Sequence, residues 1–123
     1  MNFETFDQYQ AALLAQVVKM RDTKGKEYAH DTDRFANFRR LADELGLKDY
    51  QVAWVYTKKH LDSIASYMKT GKTFSAESIH GRIVDAITYL TLISGMIVQT
   101  EFKDANAGKH QFFEYDPTQP QPL

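Results

Sequence analysis

The sequence predicts an all-α fold: a four-helix bundle with three long helices and one short one, followed by an extended C-terminal tail. Three observations predict it. All three prolines (Pro117, Pro120 and Pro122) lie in the last seven residues, so nothing from position 1 to 116 forbids a long helix. Apolar residues recur every three or four positions in successive segments, and no stretch shows the two-residue alternation of a half-buried strand. A chain of 123 residues, 43% apolar and 25% charged, has the size and composition of one ordinary globular domain. The bundle is assigned to residues 1–105 and the tail to 106–123.

In helix one, Phe6, Tyr9, Leu13, Val17 and Met20 line one face, which predicts a helix from about Glu4 to about Ala29. Gly25 weakens its last turn, and the polar run from His30 to Asp33 ends or bends it. Asp33 or Thr32 is positioned to cap a short second helix that Gly46 closes. Asp49 is expected to cap helix three, where Val52, Val55, Leu61, Ile64 and Met68 keep helical spacing up to the polar turn at Lys69–Lys72. Ser75 is expected to cap helix four. That helix is apolar on nearly every side from Ile83 to Val98, a pattern that belongs at the centre of a bundle or in a subunit interface. A bundle of this size has too few surfaces of its own to bury such a helix, so a helical homo-oligomer, dimer or tetramer, is expected. From about Asn106 the periodicity disappears.

Several function classes fall away on composition. With no cysteine, thiol catalysis, thiolate metal sites and disulfides are excluded together, which accords with a reducing cytoplasm. The opening ten residues lack the basic and apolar regions of a secretory signal. Asp85, Thr88, Thr91 and Ser94 interrupt the most apolar run, which as a continuous stretch falls short of the ~20 residues a bilayer needs, so no membrane partner is expected. The net charge of −1 conceals a division: residues 1–18 carry −2, residues 19–72 carry +4, and residues 73–123 carry −3. An excess of four positive charges suits a small phosphorylated ligand at least as readily as a nucleic-acid duplex, and nucleic acid is the less expected partner.

Chemistry would reside in the acids that helices one, three and four can turn inward: Glu27, Asp62 and Asp85. Glu27 extends the apolar stripe one heptad beyond Met20. Asp62 borders the stripe of helix three, and Asp85 sits between Val84 and Ala86 in the most apolar segment. Carboxylates converging from separate helices are the oxygen-rich set that Mg²⁺ requires, with waters retained for substrate phosphates to displace. Lys58, Lys59, His60, Arg34, Arg39 and Arg40 are the cations available for phosphate oxygens. Tyr28, Phe35, Phe38, Trp54 and Tyr56 are the rings available for stacking on a base. More ordinary roles compete at each position. Asp85 can pair with Arg82 or a lysine of helix three, Glu77 suits a helix N-terminus without any function, and aromatics at helical spacing commonly form core.

The run Lys24 to Ala42 (KGKEYAHDTDRFANFRRLA), then KKHLDSI from Lys58 and GRIVDAITYLTLI from Gly81, resembles the phage-borne nucleotide-modification-associated domains. More distantly it resembles the all-α MazG-like nucleoside triphosphate pyrophosphohydrolases. The likeness covers about residues 10–100 and is most specific at Glu27-Tyr28, at Arg34-Phe35-Ala36-Asn37-Phe38 and at Asp85 within DAITYL. It implies a Mg²⁺-dependent helical dimer or tetramer that splits nucleotides into monophosphate and pyrophosphate, working in the cytoplasm of a host cell. Of the three acids only Asp85 maps securely onto the family's motif; Glu27, Asp62 and Asp85 together are the candidate catalytic and metal-binding set, with Tyr28, Arg34, Asn37, Arg39, Lys58 and Lys59 as candidates to hold substrate. The chain departs from the MazG-like pattern in its acid pairs: Arg82 stands three residues before Asp85, and helix three offers Lys58-Lys59-His60-Leu61-Asp62.

Three readings follow. One is a Mg²⁺-dependent pyrophosphohydrolase. The second, motivated by the missing acid pairs, is a non-catalytic protein that sequesters a nucleotide or a defence signal. The third is a structural or interaction protein built on helix four and the tail.

Overall fold

The computed structural model describes residues 1–28, 35–73 and 77–102, with backbone alone at 22–28 and 101–102. Among them the fold is all-α, as the proline-free, three-to-four-spaced sequence predicts. The helices are α1 (Phe3–Tyr28), α2 (Ala36–Leu45), α3 (Asp49–Thr70) and α4 (Ile79–Phe102). No strand occurs among the described residues.

The centre of the molecule is an antiparallel pair, α3 on α4, with α2 laid on α3 and α1 on α4. Three contacts fix its direction. The Thr100 hydroxyl near the end of α4 meets Asp49 at the start of α3, Tyr56 stacks on Tyr89, and His60 lies against Asp85. Val52, Ala53 and Thr57 of α3 and Val84, Ala86, Thr88 and Met96 of α4 are buried between the helices. The hydroxyls of Thr57 and Thr88 donate back to the carbonyls of Ala53 and Val84 at 2.8 Å, so neither is buried unsatisfied.

The helix ends differ from the expectations in instructive ways. Lys48, not Asp49, is the N-cap of α3; its backbone N–H donates to the Gln51 side chain at 2.8 Å. Asp49 is the first helical residue, buried, accepting from its neighbour's N–H at 2.7 Å and from Thr100 at 3.3 Å. An acid there meets the positive end of the helix dipole and ties α3 to α4, a role that sequence distance concealed. Ser78 supplies the side-chain cap of α4, its hydroxyl accepting from the Gly81 N–H at 3.0 Å. The expected caps Ser75, Thr32 and Asp33 lie outside the described residues. Phe35 stands at the start of α2 without a side-chain cap bond, and its ring runs so close to α4 that a Cβ on Gly95 would come within 3.1 Å of it. Gly46 closes α2 at φ +69°, with the N–H groups of Gly46 and Leu47 both returning to the Ala42 carbonyl.

Helix α1 corrects a second expectation. Val17 is buried and Leu13 and Met20 are half-buried, but Phe6 and Tyr9, assigned to the same face, are exposed, and Phe3 is 91% exposed. Helix α4 corrects a third, since Ile79–Thr100 is long and apolar enough, by length and composition, to cross a membrane. Asp85 within it faces His60 of α3.

Candidate functional site

Asp85 is the seventh residue of α4, about two turns from its start, and is 3% exposed. A carboxylate in an apolar helix interface needs compensating donors or cations. The sequence supplies them from one turn earlier and from the facing helix. His60 of α3 brings Nδ1 to 3.9 Å from Asp85 Oδ2, and Arg82 brings Nη1 to 3.5 Å from the same imidazole nitrogen. Arg82 Nε in turn lies 3.5 Å from Glu77 Oε2. The result is a chain of polar groups, Glu77, Arg82, His60 and Asp85, with a carboxylate at each end, running from the start of α4 into the bundle.

His60 Nδ1 is shared between two neighbours of opposite demand. With Nδ1 unprotonated it accepts from Arg82 and the ring proton sits on Nε2; the doubly protonated ring is the form that Asp85 attracts. The imidazole also stacks on Tyr89, centroids 5.3 Å apart and planes 27° apart. Tyr89 stacks on Tyr56 at 6.2 Å and 12°, and Phe38 of α2 stands edge-on to both tyrosines at 6.2 and 6.3 Å. Tyr56 and His60 lie one turn apart on α3, so their rings stand side by side along one stripe of the helix. Tyr56 remains 43% exposed, which opens one end of this aromatic wall to solvent. An aromatic face next to an imidazole, a guanidinium and a buried carboxylate can stack a planar heterocycle and accept or donate hydrogen bonds at its polar edge.

The other expected site residues are placed as follows. Asp62 comes two residues after His60, which puts it about 160° round the helix axis from the side facing Asp85. Its side chain is 65% exposed and accepts from Lys58 Nζ at 2.7 Å on the outer flank of α3. The structure therefore separates Asp62 from Asp85 and pairs Lys58 with Asp62. Lys59 is exposed on α3, and Arg40 is exposed on α2. Asn37 and Arg39 flank Phe38 on α2, but Arg39 Nη1 donates to Gln99 Oε1 at 3.4 Å, and Gln99 lies about 25 Å along α4 from Arg82 at 1.5 Å per residue. Arg39 and Arg82 thus serve opposite ends of the bundle. Arg34 and the side chains of Glu27 and Tyr28 lie outside what the structure describes. Among the described residues no three His, Asp or Glu side chains gather as a metal-holding group.

From the sequence His60 is one of the cations available for phosphate oxygens. Its pairing with Asp85 was legible only through the antiparallel register of α3 and α4, which aligns residue 60 with residue 85. Tyr89 lies within the apolar run of α4 in the sequence, and in the structure its ring joins Tyr56 to His60. Compared with protein-family models, curated proteins and solved structures, the chain matches none of them.

Proposed function

We propose that this protein binds a nucleotide or nucleotide-derived small molecule at the cluster of Tyr56, Tyr89, His60, Arg82 and Asp85, and holds it without hydrolysis. The observation that carries the reading is the ring stack that opens to solvent at Tyr56 and ends on the His60–Asp85 pair. A base stacked on Tyr56 gains contact that tolerates any heterocycle, while Arg82 and the His60 Nε2–H supply donors for phosphate or ribose oxygens. Asp85 orients His60 from behind. The separation of Asp62 from Asp85 favours this binding reading over Mg²⁺-dependent pyrophosphate release, since the two acids face different sides of α3.

A panel of nucleoside mono-, di- and triphosphates titrated calorimetrically into the full chain tests it. Saturable binding with the ligand recovered intact is the expected result, and Tyr56→Ala should weaken affinity by about tenfold or more, the effect of losing one base stack. Pyrophosphate released in the presence of Mg²⁺, and abolished by Asp85→Asn in a chain that keeps its helical signal, would instead establish the hydrolase.

A further inference from the structure

We propose that the outward face of α4 is the seam of an antiparallel homodimer, in which a second copy of this chain packs its own α4 against the first about a two-fold axis near Leu90. The proposal is independent of the nucleotide reading, because it uses the side of α4 opposite Asp85.

The seam is written in the spacing. Ile83, Ile87, Leu90, Ser94 and Ile97 follow one another at intervals of four, three, four and three, the repeat that keeps one stripe of a helix facing another helix. Inward positions Val84, Asp85, Thr88 and Met96 are buried against the rest of the chain. Along the outward stripe Leu90, Ser94 and Ile97 are exposed, with Leu90 at 47%, and Ile83 and Ile87 are half-buried. The chain's own helices therefore cover one side of α4 and leave a continuous apolar stripe on the other.

Three features select a second copy as the occupant. The stripe and its flanks from Ile83 to Val98 hold no Lys, Arg, Asp or Glu other than the inward Asp85. A charge-free seam meets an identical seam without stripping water from an ion, whereas an ionic partner would lose hydration for nothing in return. The spacing is also close to self-complementary under a two-fold rotation. Turning α4 end for end about Leu90 brings Ile83 level with Ile97 of the second copy and Ile87 beside the small Ser94, so a large side chain enters the gap left by a small one. The third feature is area. Helix α4 is about 36 Å long and roughly 10 Å across, a projected footprint of about 360 Å² and short of the ~800 Å² per partner of a stable interface. Helix α1, which packs on α4, also leaves Leu14, Val18, Phe6 and Tyr9 exposed, apolar surface available to a second copy in addition to the stripe.

The absence of native cysteine makes the test direct. Light scattering of the full chain should give a mass of about 28 kDa, twice the 14.2 kDa of one chain. Oxidised or treated with a short bis-maleimide, Leu90→Cys should yield a covalent dimer, while Asp62→Cys, on the outer flank of α3, should not. Leu90→Glu combined with Ile97→Glu should halve the mass while leaving the helical circular dichroism in place. Should that double variant unfold, the cross-linking pair still decides, since it leaves the seam apolar. A monomeric mass for the natural chain overturns the proposal. That holds whether the thiol introduced at position 90 reacts freely, a bare face, or is protected by the chain's own C-terminal residues. Equal cross-linking at both cysteine positions, or a chain that floats with lipid vesicles as a monomer, overturns it as well.

Discussion

A buried carboxylate is costly unless its partners hold it in place, and Asp85 has a histidine and, through that histidine, an arginine. Replacing it by Ala removes the carboxylate that faces His60 and should lower stability by roughly 1–3 kcal/mol, read as a drop in the thermal midpoint. Asp62→Ala should change stability by well under 1 kcal/mol and leave nucleotide affinity unaltered, because an exposed pair within one helix contributes little. A marked loss of binding in Asp62→Ala would return that residue to the site. The contrast shows what the sequence made legible at this scale. Asp85 stood out because an acid flanked by Val84 and Ala86 has nowhere polar to go along its own helix. Asp62 was equally reachable from the edge of its stripe, and only the packing of α3 shows that Lys58 holds it outside. His60 and Asp49 gain their roles from residues 25 and 51 positions away, a distance that helical periodicity does not encode.

At the scale of elements, periodicity set the number, order and length of the helices, because a proline-free chain with apolar residues every three or four positions has no competing regular structure. The ends followed local chemistry less faithfully. Gly46 behaves as expected: its φ of +69° sits where any side chain is strained, so Gly46→Ala should destabilise by about 1 kcal/mol in chemical denaturation. Gly95 could not be foreseen, since its reason is the Phe35 ring crossing α4. Gly95→Val should destabilise by roughly 1–3 kcal/mol despite adding an apolar residue to a helix, and a rise in the unfolding midpoint would show that Phe35 has room to move. Asp49 has the residue type of a cap but stands one residue past the N-cap Lys48, where it is a tertiary link between the start of α3 and the end of α4.

At the scale of the whole molecule, α4 has two unlike sides. The inner one carries the Asp85–His60 pair and the aromatic wall, and the outer one carries the charge-free stripe from Ile83 to Ile97. The all-round apolar character that marked this helix in the sequence is thereby divided between the side that carries the proposed ligand site and the side proposed to meet a second copy, and the proposed site uses no residue of that stripe. Calorimetric titration of the full chain with individual nucleotides, repeated on Tyr56→Ala, tests the central claim most directly. The account predicts saturable binding of at least one nucleotide, with one ligand per chain recovered chemically intact and affinity reduced about tenfold or more in the variant. Binding that is undiminished in Tyr56→Ala, or no binding of any nucleotide at millimolar concentration, would contradict it.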